Sequence, residues 1–370
     1  MPCDALYLHI PFCEAKCPYC DFYSVPASQG AMDAYLAAVL RALECFPGPL
    51  GPLDTVYFGG GTPSLWGGRR IGAVLEGVAR RFGIRAGAEV TAECNPHSAL
   101  PRELAAMAAA GVNRVSLGLQ SADEGQLRRL GRLHTVTDVA QAVEQAGACG
   151  IRHISLDLML ATPGQTAADI DQAVALCGRL GVEHVSAYLL KVEPGTPFAR
   201  QQVERECPDE DGQADLYLHA VRALAAGGWE QYEISNFARE GRVARHNLTY
   251  WDCRDYLGVG PAAHSFFAGR RRFFPRDLAA FCAAENPWAL WEDDGPGGSW
   301  EEYVMLRARL SAGISRQELA VRYPRLDPAP LWERAKRLPR HLVEVDGERI
   351  RLTTQGFLLS NPIIAALLGD

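Results

Sequence analysis

Short β-branched and aromatic runs alternate along the first half of the chain with longer Ala/Leu/Arg stretches of helical period, the pattern of βα units around a parallel sheet. Six runs read as strands: Leu6 to Ile10, Thr55 to Phe58, Glu89 to Cys94, Arg114 to Gln120, His153 to Leu160 and His184 to Leu190. Between them the apolar spacing predicts helices over Met32 to Cys45, Arg69 to Phe82, Pro101 to Ala110, Thr137 to Cys149 and Ala167 to Leu180. In such α/β folds ligands gather at the C-terminal ends of the strands.

The pattern changes after the sixth run. Asn286 to Ser299, rich in Pro, Gly and acid, reads as a linker or surface loop. Beyond it, Trp300 to Leu310, Arg316 to Val321 and Pro330 to Arg337 read as helical turns, and Leu342 to Leu352 as a hairpin around Asp346-Gly347. Thr353 to Gly356 opens a final helix. Three units are expected: 1–230, a barrel-closing extension over 231–285, and a smaller α+β, winged-helix-like domain over 286–370, read as a lid or docking module rather than a DNA-binding one.

Composition narrows the function. The chain has 370 residues, 48% apolar and 22% charged, enough for one large soluble domain and a smaller one. A net charge of −7 argues against a nucleic-acid partner, and Arg270-Arg271-Arg272 reads as a solvated loop. Eleven cysteines without pairing pattern point to a reducing compartment. The N-terminus lacks an export pattern and no apolar run reaches membrane-spanning length, so the expected setting is cytoplasmic.

The chemistry concentrates in LYLHIPFCEAKCPYCDFYS, where Cys13, Cys17 and Cys20 stand at C-x₃-C-x₂-C, with Pro11 and Pro18 preventing a regular helix. Structural zinc takes four ligands, usually as two separated pairs, and no second pair follows downstream. A cubane 4Fe–4S cluster fits better, and three thiolates leave one iron open to a small molecule. Gly59-Gly60-Gly61-Thr62-Pro63 lets backbone approach a ligand and offers N–H donors. Glu93-Cys94-Asn95-Pro96, Gln120-Ser121 and Asp157 put polar groups at successive strand ends, as ligand contacts or as caps of the following helices.

The cysteine spacing, with Tyr19 just before the third cysteine, resembles the radical S-adenosylmethionine (SAM) superfamily. That resemblance implies a partial (β/α)₆ barrel, SAM chelated by the open iron, and an electron donor that reduces the cluster so that SAM is cleaved to a 5′-deoxyadenosyl radical. The phrases LYLHIPFC, YFGGGTPS, NRVSLGLQS, LGRLHT, SLDLMLATPGQT, EPGTPF, PDEDGQADLY, EQYEISNFAR, HNLTYW and YLGVGPAAHS are similar to the oxygen-independent coproporphyrinogen oxidase group. Within it the chain resembles the HemW type, regarded as heme chaperones, more than the HemN type, which decarboxylates coproporphyrinogen III. HemN-type proteins carry a cysteine where this chain has Phe22, and a longer arm before the first strand.

The resemblance assigns SAM contacts to Tyr7, Gly60, Gly61, Thr62, Glu93, Gln120, Arg132, Asp157, Ala187 and His264, and a heme ligand to His246 in Arg245 to Trp251, where Tyr250 and Trp251 would supply aromatic surface. Plainer readings stand beside these: Tyr7 as a core aromatic, Arg132 as a surface ion-pair partner, His246 as a buried, hydrogen-bonded histidine closing the bottom or side of the barrel. His9 reads as a satisfied core histidine. Relatives carry Tyr-Gly-Leu where this chain has Leu160-Ala161-Thr162, so the wall near Asp157 differs from theirs. The implied partners are heme or another tetrapyrrole, an acceptor hemoprotein and an electron donor; transient membrane contact and a homodimer stay open. The alternative function is a coproporphyrinogen dehydrogenase-like oxidoreductase or related tetrapyrrole enzyme, and a third is a structural metal or regulatory protein.

Overall fold

A computed structural model describes residues 3–96 and 100–369. Positions 1, 2, 97–99 and 370, which fall in the expected first and last units, lie outside the described residues.

The six apolar runs form strands β1 (Ala5–Ile10), β2 (Leu53–Gly60), β3 (Ile84–Cys94), β4 (Arg114–Gln120), β5 (His153–Leu160) and β6 (His184–Leu189). They pair in chain order, every neighbour parallel. Helices α1 (Gln29–Cys45), α2 (Gly68–Arg81), α3 (Leu100–Ala109), α4 (Val136–Ala148) and α5 (Ala167–Arg179) fill the crossovers. Their boundaries follow local chemistry. Thr135 with Asp138, and Thr166 with Asp169, build reciprocal capping boxes at the starts of α4 and α5. Apolar stripes such as Ile71, Val74 and Val78 of α2 pack on the outer face of the sheet, where the main core lies.

The sheet extends past the six expected strands. After helix α6 (Glu210–Ala226), strand β7 (Asn236–Ala238) adds antiparallel to β6. Helix α7 (Arg245–Trp251) follows, and β8 (Leu257–Val259) then pairs parallel with β1 on the opposite edge. Both added strands are three residues long, too short for a periodicity to be read.

The stretch expected as a linker is structured. Glu292–Pro296 pairs with Arg270–Phe273, which pairs with His264–Phe267, in an antiparallel sheet. Its polar composition is that of an edge strand. The tryptophans before it do the burying: Trp288 packs 4.8 Å from Phe46, and Trp291 lies 6.3 Å from Phe274. The arginine run is likewise a strand rather than a solvated loop. Arg270 pairs with Asp293, Arg271 donates to Glu302 (2.6 Å), and Arg272 lies over Trp291.

Residues 300–368 have their own core, with Tyr303, Trp332, Ile350 and Ile364 at its centre, reaching back to Cys253 and Phe266. The hairpin forms as Val343–Val345 and Arg349–Leu352, joined by Ile314–Ser315 into a three-stranded sheet. The expected final helix is two, Thr354–Leu358 and Ser360–Leu368. Among the described residues no helix is long and apolar enough to cross a membrane.

Candidate functional site

The cysteine loop leaves the C-terminal end of β1. Phe12–Cys13 pairs with Val25–Pro26 at the loop's base, and Val25 N donates to Pro11 O (2.8 Å), so both ends are pinned by backbone. Cys13, Cys17 and Cys20 are half-buried, free, and line the mouth of one cavity of ≈ 410 Å³. Thr62 Oγ1 donates to Cys13 Sγ and Arg132 Nη1 to Cys17 Sγ, each at 3.5 Å. Such donors suit thiolate sulfur. Burial, with the neighbouring thiols Cys17 and Cys13 adding to it, pushes the Cys20 thiol up. Among the described residues no three His, Cys, Asp or Glu side chains already close on one point at metal-ligating spacing; the donor set surrounds the mouth instead.

The glycine run at the end of β2 lines the cavity without offering its N–H groups. Its N–H groups are taken: Gly60 N by Glu93 Oε2 (3.0 Å), Gly61 N by Ile10 O (2.8 Å) and Thr62 N by Phe12 O (2.7 Å). The glycines instead let the cysteine loop lie directly on β2. Gly60 has φ +107°, and a Cβ at Gly61 would stand 2.6 Å from Phe12 O. A backbone atom cannot yield as a side-chain tip can. Gly61→Ala is therefore expected to cost about 1–3 kcal/mol by overpacking, read by thermal melting; an unchanged melt would contradict the contact.

Below the loop, polar side chains recur at every second residue on the inner faces. They are Thr91 and Glu93 on β3, Arg114 and Ser116 on β4, Ser155 and Asp157 on β5, and His184, Ser186 and Tyr188 on β6. Glu93 accepts from Tyr57 OH (2.8 Å) as well as Gly60 N. Asp157 accepts from Ser116 Oγ (3.0 Å). Burial raises both carboxyls, Glu93 to about 7, and Asp157 adds to the rise at Glu93. Above them Arg132 Nη2 donates to Asn95 Oδ1 (2.8 Å) and Asn95 Nδ2 to Thr62 Oγ1 (3.1 Å). One hydrogen-bonded chain thus runs from Cys17 through Arg132, Asn95 and Thr62 to Cys13.

The shift at Glu93 has a definite sign. Its folded value of about 7 exceeds the ordinary 4.5, so its contribution to stability is full below 4.5 and is lost as pH rises towards 7. Glu93→Gln is expected to raise the melting temperature relative to wild type by about 2 °C or more at pH 8, with a smaller gain at pH 5. An equal gain at both values would contradict this. Glu233, also buried and raised to about 7, remains in both proteins as background.

Seven of the residues assigned by resemblance, Gly60, Gly61, Thr62, Glu93, Gln120, Arg132 and Asp157, are on the cavity wall. Three are not. Tyr7 is turned to His9 (OH to Nδ1, 3.0 Å); Ala187 is buried, with its N–H on Ser235 O (2.7 Å); His264 is exposed and stacked on Phe273. His9 has both nitrogens bonded, the second to Tyr23 O (2.9 Å), and burial lowers it to about 4.

His246 sits in α7, whose flanking residues Ala244 and Asn247 line the cavity while its own ring lies behind Tyr57. Its Nδ1 is hydrogen-bonded to Thr55 Oγ1 (2.8 Å) and its Nε2 to Tyr250 OH (2.7 Å). Burial lowers its pKa to about 3, so the imidazole is neutral. Glu89 holds the start of this helix by accepting from the N–H groups of Arg245 and His246 (3.1 and 2.9 Å).

The lower wall, Thr91, Arg114, Ser155 and His184, was not anticipated from the sequence. Its signal is the strict alternation in RVSLGLQ, HISLDLML and HVSAYL; parallel strands covered on both faces by apolar layers read as continuous apolar runs.

Comparison with known proteins agrees with this architecture. Residues 7–177 match the family model described as Radical SAM superfamily. The chain is 39% identical over 376 residues to a Mycobacterium tuberculosis protein named heme chaperone HemW, covering 98% of this chain and 94% of that one. It is 33% identical over 377 residues to the Bacillus subtilis protein of the same name, covering 98% and 99%. Among solved structures it is similar to the Escherichia coli coproporphyrinogen III oxidase (HemN), described as a radical SAM enzyme, with a TM-score of 0.83 at 19% identity over 99% of this chain and 90% of that one. At that identity the likeness is one of fold.

Proposed function

Because the chain belongs to the HemW family within the radical SAM superfamily, we propose that it is a heme chaperone: it binds a 4Fe–4S cluster, SAM and heme, and passes the heme to hemoproteins. The observation that carries this is the match, over 98% of the chain, to proteins that bear that name.

The residues present suit the cluster. Cys13, Cys17 and Cys20 would hold it, and the donors on Cys13 and Cys17 would stabilise their thiolate charge. Bound there, the cluster would supply an open iron for SAM and a single electron for cleavage of its sulfonium. Gly60, Gly61, Thr62, Glu93, Gln120, Arg132 and Asp157 would contact SAM, and their place on one wall supports the set.

His246 is the proposed heme ligand. Its neutral imidazole is the ligating form, and Tyr57 and Tyr250 flank it with aromatic surface, Tyr250 being backed by Tyr256. Ligation requires Nε2 to exchange the Tyr250 hydroxyl for iron, so heme uptake is gated by a movement of Tyr250. The test is saturable heme binding by the wild type that is lost in His246→Ala.

The proposed setting is the cytoplasm, supported by eleven cysteines that are all free; an electron donor and acceptor hemoproteins would be the partners. Oxidation of coproporphyrinogen III is the second reading, favoured by a polar barrel lumen of enzyme type. Substrate-dependent formation of 5′-deoxyadenosine would select it.

A further inference from the structure

The cavity continues below the residues proposed for SAM: Thr91 lies two positions before Glu93 on β3, about 7 Å at the rise of a parallel strand. Arg114 lies six positions before Gln120 on the same strand, about 20 Å at the rise of a parallel strand. Its register partner is Thr91 of β3. Both line the cavity, with exposures of 4% and 1%, and both carry a buried polar atom without a partner, Arg114 Nη2 and Thr91 Oγ1. Two adjacent orphans are unusual, because an unmatched buried donor costs its full desolvation.

The surroundings do not satisfy them. The nearest acid to Arg114, Glu89, stands 3.7 Å from Nη1 and gives both oxygens to the start of α7. Besides that long ion pair, Nη1 has a 3.5 Å contact to Arg242 O, and Nη2 has none. Across the floor, Ser155 Oγ is hydrogen-bonded to His184 Nδ1 (2.7 Å), and His184 Nε2 to Tyr232 OH (2.8 Å), and neither orphan atom bonds to this set. Burial keeps His184 neutral, so among the described residues Arg114, with Glu89 behind it, is the cation lining this level of the cavity. A planar guanidinium with a hydroxyl beside it at the end of a closed polar tube matches a carboxylate.

We propose that the barrel floor is a carboxylate site in which Arg114 and Thr91 hold a propionate of the tetrapyrrole, one side-chain level below the SAM contact Glu93. The proposal rests on the heme-chaperone reading and adds the orientation of the ligand: acid edge down, towards α7. The carboxylate of SAM is the other source of the same chemistry, and the experiment separates the two.

Heme and heme dimethyl ester, which lacks the free acids, are titrated by Soret absorbance into cluster-reconstituted wild type, Arg114→Gln and Thr91→Val, with SAM affinity measured in parallel. Wild type is expected to prefer the diacid by about ten- to hundredfold. Arg114→Gln abolishes the preference and Thr91→Val reduces it several-fold, with SAM affinity unchanged in both. No acid preference in wild type, or one that survives Arg114→Gln, overturns the proposal; so does a loss of SAM affinity without a change in preference, which would assign Arg114 to SAM. If Arg114→Gln does not fold, an undiminished preference in Thr91→Val is the overturning result. Wild type that binds neither heme sinks the chaperone reading itself, a different failure from heme bound without preference.

Discussion

Replacing any one of Cys13, Cys17 or Cys20 with alanine is expected to reduce iron and sulfide to background in anaerobically reconstituted protein while the barrel stays folded. The proposed set of three protein ligands leaves no redundancy, and the sulfur best placed to substitute is unsuited. Cys94 lines the same cavity, but burial pushes its thiol up to about 12, so it stays protonated at neutral pH. The fold should not notice the change. The three side chains are half-buried at a cavity mouth, and the loop is held by backbone bonds such as Val25 N to Pro11 O and Ala27 N to Cys13 O (3.2 Å), none of which uses a thiol. Stability should move by no more than about 0.5 kcal/mol, as for surface positions. Iron and sulfide analysis beside circular-dichroism melting checks both halves. A full cluster in any single variant would contradict the ligand set.

Much of the barrel was legible because long apolar runs and capping chemistry are local. Arg114–Gln120 and His153–Leu160 form with the expected bounds, and α5 differs from expectation by one residue. The cysteine loop was legible for the same reason: eight neighbouring positions bring three thiols to one cavity. What was missed depends on the partner. β8 is three residues that become a strand only because β1 offers an edge. Glu292–Pro296 is acidic and glycine-bearing, yet pairs with Arg270–Phe273 twenty residues earlier, while Trp288 carries its burial by packing on α1. The N–H groups of GGGTP read as ligand donors because nothing in that stretch reveals that Ile10, Phe12 and Glu93 would claim them.

His246 marks the same limit most sharply. A histidine in HNLTYW says nothing of Thr55, 191 positions away, which bonds its Nδ1, or of Tyr57 stacked at 5.1 Å. The environment is that of a satisfied buried histidine, and it is also that of a latent ligand. The ring is neutral, its tilt is fixed from the Nδ1 side, and Nε2 is held by one tyrosine hydroxyl, a bond worth about 1 kcal/mol net. A second-side hydrogen bond on Nδ1 is what orients a metal-binding imidazole. Removing the ring should therefore abolish heme ligation and leave the cluster, whose ligands come from a different loop, in place. Tyr250→Phe, which frees Nε2, should speed heme uptake.

The measurement that tests the account most directly is an anaerobic heme titration of cluster-reconstituted wild type and His246→Ala, followed by Soret absorbance with iron and sulfide determined on the same samples. The account predicts saturable, near-stoichiometric binding by wild type, lost in the variant at equal cluster content. Equal heme affinity in the two proteins would contradict the assignment of His246, and absence of specific heme binding in both would contradict the chaperone function.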